Sequence, residues 1–139
     1  MTAIEYIESL DKADFRIERC RDKIERLETL AENRSSKPFD NDRVMSSGSK
    51  DRIGDLTCKI MSEREKCDKM EREREEKLDY INGLIDGMKN TEHAKIIYYI
   101  HVRKESYTDV ADMLDKEVQT IRNMHSKAIK ELEKSFYLP

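Results

Sequence analysis

Apolar residues recur along the first part of the chain at Ala3, Tyr6, Leu10, Ala13, Ile17, Cys20, Ile24, Leu27 and Ala31. The steps alternate between three and four, the period of a helix with one narrow apolar seam of coiled-coil type. The positions between them are mostly charged. Thr2 followed by Glu5 is a capping-box pattern, in which each side chain satisfies a free backbone N–H at a helix start. Together these features predict a helix over about 2–33. From Asn33 to Ser49 the pattern stops: Pro38, Gly48, five Ser, two Asn and two Asp read as a loop over 34–49.

The seam resumes at Ile53, Leu56, Ile60, Glu63, Cys67, Met70, Arg74, Lys77, Ile81, Leu84 and Met88, which predicts a second helix over about 50–88. Ser49 is its expected cap, with Asp51 at the positive end of the dipole. Three seam positions are charged, and the run Glu71 to Lys77 reads as a solvated helix face. Two long helices joined by a loop pack most simply as an antiparallel pair. Gly87 and Asn90 are stop signals, and Asn90 or Thr91 is placed to cap the next helix. The expected division is an N-terminal helical hairpin over 1–89 and a second domain over 90–139. The latter holds five of the nine aromatic residues and equal numbers of acidic and basic side chains, as suits a compact domain of three helices.

Composition narrows the function. Apolar residues are 37% of the chain and charged residues 41%, the balance of long solvated helices. No apolar run approaches membrane-spanning length and no signal-peptide stretch opens the chain, so the expectation is a cytoplasmic protein without membrane contact. Cys20, Cys58 and Cys67 are expected to act as small buried hydrophobes. No glycine-rich phosphate loop, metal cluster or nucleophile–base arrangement is visible; the expectation is no enzyme, no cofactor, no metal and no small-molecule substrate.

The informative stretch is 106–132. Ser106 with Asp109 is a second capping box, and Val110, Ala111 and Leu114 form the inward face of a short helix. Ala111 is small enough to let another helix cross closely. Asp115-Lys116-Glu117 is the turn, in which Asp tolerates a left-handed backbone. The second helix, expected over 118–134, turns Val118, Ile121, Met124, Ala128, Ile129 and Leu132 inward. Its other face holds Gln119, Thr120, Arg122, Asn123, Ser126, Lys127 and Lys130, and residues 118–130 contain no acid. Amides match adenine edges, Arg matches guanine, and Lys, Ser and Thr match phosphates. The pattern predicts a helix-turn-helix reading double-stranded DNA from the major groove.

These residues resemble region 4 of the sigma-70 factors, where a Ser-Tyr-Glu-Glu-Ile-Ala-like helix precedes a Ser-Val-x-Thr-Val-Arg-like recognition helix. Tyr98 to Val102 is similar to the aromatic–aliphatic helix before it. The stretch Asp42-Arg-Val-Met-Ser-Ser-Gly-Ser-Lys-Asp-Arg-Ile53 resembles the inter-helix loop of a phage and prophage family of small sigma-region-4-like proteins. The resemblance implies an all-α fold, a helical hairpin followed by a helix-turn-helix, and regulation of phage transcription, with RNA polymerase as a second candidate partner. The chain departs from the pattern where Lys104-Glu105 replaces Gly-Leu, where Asp115 replaces the turn Gly and Lys116 an apolar residue, and where Glu117 replaces the Ser cap. The alternative is a protein-interaction module whose heptads recruit a partner and whose helix-turn-helix is only a scaffold. Apolar edges at Leu30, Leu78 and Ile85 predict self-association, with a two-fold dimer as the expected form.

Overall fold

The computed structural model describes residues 1–35 and 47–136, with side chains described for 1–33 and 54–136. It is all-helical. α1 spans Ala3–Ser35 and α2 spans Ser47–Asp86. α3 (Thr91–Ile97) runs directly into a π-helical turn (Tyr98–Val102), and α4 (Tyr107–Leu114) and α5 (Val118–Ser135) come next. Of the loop expected at 34–49, residues 34–35 belong to α1 and 47–49 to α2, and 36–46 lie outside the described residues, as does the Ile53 side chain. α2 begins two residues before Ser49, the expected cap, and ends at Asp86 rather than Met88.

The seam positions are the ones that leave solvent. From Ala3 to Ala31 every predicted position of α1 is buried or half-buried, as is every described position of the α2 seam. Ile7 and Ile85 are also buried, although they fall outside the strict three-four step. The predicted capping box closes α1: the Thr2 N–H donates to Glu5 Oε2 at 3.0 Å, and the Glu5 N–H donates to Thr2 Oγ1 at 3.2 Å.

The residues cluster into two compact units, Ala13–Glu73 and Met1–Lys12 with Arg74–Pro139. The boundary expected at 89/90 thus falls inside the second of these. In the unit 13–73, Ile17 and Cys20 of α1 meet Cys67 of α2, flanked by Ile24 and Met70. Arg21–Glu71 and Glu28–Arg64 ion pairs, each at 2.5 Å, link ascending positions of α1 to descending positions of α2. Glu63 is the charged residue buried in this seam, and its partners explain why it is tolerated. Lys23 lies 3.0 Å and Lys66 3.5 Å from Glu63 Oε1, and the Cys20 thiol donates to the Glu63 carbonyl. The Lys23 hydrogen bond, foremost, holds the Glu63 carboxyl below its ordinary range. Cys58 corrects the expectation for the cysteines: Cys20 and Cys67 are buried, but Cys58 lies exposed, off the three-four step of α2.

The unit containing the C-terminal helices has two apolar clusters. One joins Ala3, Tyr6, Ile7 and Leu10 of α1 to Ile81 and Ile85 of α2, Ile97 of α3, and Ala128 and Leu132 of α5. The rings of Tyr6, Tyr80 and Phe136 close one side of it, with centroids 5.4–6.2 Å apart. The other joins Ile96, Val110, Ala111 and Ile121, with Tyr99, Ile100, Leu114, Val118 and Met124 around them. Ile85 is therefore buried within the chain and Leu78 packs against the first cluster, so neither is the open apolar edge expected; Leu30, at 47% exposure, is.

Leu10 is 1% exposed in the first cluster, so Leu10→Ala leaves a cavity and is expected to lower the unfolding free energy by about 3 kcal/mol. Leu30→Ala is expected to change it by less than about 0.5 kcal/mol. Denaturant titration of both variants checks the pair; equal midpoints would contradict the assignment of the core.

Candidate functional site

α4, the turn after it and α5 set the geometry. Ser106 caps α4 by accepting from the Asp109 N–H at 3.1 Å. α4 ends at Asp115, whose φ of 54° and ψ of 52° put it in the left-handed region. Its N–H and that of Lys116 satisfy the last carbonyls of α4, at Asp112 and Ala111. A second left-handed residue, Lys104 at φ 60°, precedes the Ser106 cap, and its ammonium pairs with Asp11. Both positions are ones where the sigma-like pattern has glycine. A side chain in this region costs on the order of 1 kcal/mol, less for Asp. Glu117 stands at the cap of α5 in extended conformation and makes no side-chain cap hydrogen bond, as expected of a poor cap.

All seven predicted site residues lie exposed on α5: Gln119, Thr120, Arg122, Asn123, Ser126, Lys127 and Lys130. Ile121, Ala128 and Leu132 are fully buried behind them. The Gln119 amide donates to Asn123 Oδ1 at 3.2 Å, so these two amides form one unit a turn apart. Ser126 Oγ donates to the Arg122 carbonyl. The Arg122 guanidinium sits over the Tyr107 ring, 5.5 Å from its centroid, so α4 aims the cation carried by α5. Tyr107 carries no sequence signal for this role, because the contact depends on how α4 and α5 cross.

The acids of α5 are engaged elsewhere. Glu131 reaches the turn between α2 and α3, accepting from the Lys89 and Asn90 N–H groups and meeting His93 Nδ1 at 2.8 Å. The His93 contact, first among these, holds its carboxyl below the ordinary range. Glu133 accepts from the Ala3 N–H at 2.7 Å. Lys127, Lys130 and Lys134 make no ion pair among the described residues. The outward face of α5 is basic beyond its first turn, whereas Asp115 and Glu117, with Lys116 between them, stand just before its N-terminus.

Behind this face lies a feature that sequence spacing concealed. The π turn, closed by the Arg103 N–H donating to the Tyr98 carbonyl, turns His101 toward α5. His101 Nε2 lies 2.8 Å from His125 Nε2, and the Tyr107 ring stands edge-on to His125. That spacing is one N–H···N hydrogen bond between two neutral rings. Burial, then the neighbouring His125, lowers His101 to about 4, and burial lowers His125 as well. Among the described residues no group of three or more His, Cys, Asp or Glu side chains is arranged to hold a metal ion. No helix of the described residues is long and apolar enough to cross a membrane.

No family model, curated protein or solved structure matches this chain.

The depressed histidines give a signed pH dependence. Below pH 6.5 the unfolded chain protonates His101 while the folded chain keeps it neutral, so stability falls as pH drops from 6.5 toward about 4. The loss from His101 is of order 2 kcal/mol across that window. His101→Gln removes this titration, so its stability is expected to be flatter there than that of the wild type. Thermal unfolding of both proteins across the window measures the difference; parallel curves would contradict a neutral buried pair.

Proposed function

We infer that the chain is a DNA-binding transcriptional regulator of the phage and prophage type, an antiparallel helical hairpin followed by a helix-turn-helix like sigma-70 region 4. In this reading α4 and α5 are the two helices of the motif, and α5 enters the major groove. The observation that carries the reading is the division of α5: its apolar residues are buried or half-buried, its two acids are engaged in the fold, and its amides, hydroxyls and cations are exposed. The left-handed backbone at Lys104 and Asp115 supports the resemblance, since it supplies a physical reason for glycine in the pattern. Arg122 and the Gln119–Asn123 pair are the proposed base contacts. Lys127, Lys130, Ser126 and Thr120 are the proposed phosphate contacts. RNA polymerase is the further partner that the resemblance implies.

The interaction-module reading has its own observation. Phe15 (58% exposed), Met61 (57%) and Leu30 (47%) leave apolar surface open on α1 and α2 within residues 13–73. A second copy of the chain, in a two-fold dimer, is the partner proposed for that surface.

Titration of fluorescent duplexes at two salt concentrations separates the readings. Wild type is expected to bind with steep salt dependence. Arg122→Ala is expected to lose about 1–3 kcal/mol and relax preference at one base position. Lys127→Ala is expected to weaken all sequences evenly and reduce the salt slope by about one unit. Glu117→Ser removes a phosphate-repelling carboxylate, improves the cap and is expected to tighten binding. Wild-type behaviour from all three variants would leave the interaction module as the function.

A further inference from the structure

The exposed cations near α5 converge on a groove that the recognition-helix pattern does not predict. It is an open groove of about 650 Å³ between the C-terminal half of α5 and the turn joining α2 to α3. Its walls carry Lys89 from the turn, Lys127, Lys130 and Lys134 from α5, and His93 and Glu131. The three α5 lysines succeed one another at steps of three and four, so they form one stripe along the helix. None of the four ammonium groups has an ion-pair partner among the described residues. Glu131, the acid of the groove, is already hydrogen-bonded to His93 and to the backbone N–H groups of Lys89 and Asn90. It therefore fixes the turn that carries Lys89 against the helix that carries the other three lysines.

Four ammonium groups without ion-pair partners among the described residues, around one open groove, call for an anion with several separated charges. Successive phosphates of a nucleic-acid strand have that form. The position also fits: Asp115 and Glu117 stand just before α5, with Lys116 between them, whereas along its C-terminal half the acids are engaged in the fold and the lysines are unpaired among the described residues.

We propose that this groove is a phosphate-binding track that clamps one strand of duplex DNA, with Lys89 and Lys134 extending the contact beyond the recognition face. The proposal rests on the DNA-binding reading above. It assigns the protein's main electrostatic grip to the C-terminal half of α5 and to a turn outside the helix-turn-helix.

The test is the double substitution Lys89→Gln/Lys134→Gln in the full chain, compared with wild type and with Lys59→Gln/Lys69→Gln. The latter pair removes two exposed lysines of α2 in the other compact unit. Binding to a mixed-sequence DNA duplex is measured over a series of salt concentrations, and thermal unfolding confirms that each variant is folded. The groove variant is expected to lose about two units of salt slope, since each phosphate contact releases close to one counterion, and the control variant none. If wild type binds and the groove variant keeps its slope, the track is wrong while the DNA-binding reading stands. If wild type shows no salt-dependent binding, both fall. Inorganic tripolyphosphate is the second probe: tight binding of it by a protein that ignores the duplex would overturn the strand in favour of a free polyphosphate.

Discussion

α5 is held by apolar side chains from both ends of the chain. Ala128 and Leu132 on its C-terminal half meet Ile7 and Leu10 of α1, Ile81 and Ile85 of α2, and Ile97 of α3. Burying a side chain of this size is worth about 1.5–3 kcal/mol. The remaining C-terminal helices bury a smaller set, Ile96, Val110, Ala111 and Ile121. The first turns of α1 therefore belong to the same core as α5, although more than a hundred residues separate them in the chain. The Glu133 hydrogen bond to the Ala3 N–H and the rings of Tyr6, Tyr80 and Phe136 secure the same junction.

Anchoring at the junction divides the labour of α5. Its buried stripe serves both clusters, Ile121 in one and Ala128 and Leu132 in the other. Its acids complete the scaffold: Glu131 satisfies backbone donors at the α2–α3 turn and Glu133 one at the start of α1. His125 pairs with His101 behind the helix, and the remaining basic and amide-bearing residues face water. Such a surface costs nothing to leave solvated and gains most from meeting an anion. The left-handed Asp115 fixes the angle at which α5 leaves α4, and the Arg122–Tyr107 stack fixes where one of its cations points.

Much of this is legible from periodicity. The three-four seam names the buried positions of α1 and α2, Thr2–Glu5 and Asn90 name helix starts, and the inward residues of α4 and α5 obey the same rule. What the sequence conceals depends on contacts between distant segments. Ile85 and Leu78 look like open edges until the C-terminal helices cover them. Glu63 looks like a seam defect until Lys23 is placed beside it. His101 and His125 are twenty-four positions apart, and their rings meet only once the π turn is packed beside α5. Lys134 continues the spacing of Lys127 and Lys130 and can be read with them, whereas Lys89 cannot, because nothing local ties that turn to α5. Cys58 misleads because its residue type suggests burial while its place off the seam leaves it in water.

Backbone amide hydrogen exchange tests the junction most directly, by comparing wild type with Leu10→Ala. If the first turns of α1 and the C-terminal half of α5 share one core, the substitution accelerates exchange at the amides of residues 124–132 as much as at those of residues 6–13. Exchange in α5 that stays at the wild-type rate while α1 alone is released would contradict it, and would mean that the C-terminal helices hold themselves without the N-terminal turns.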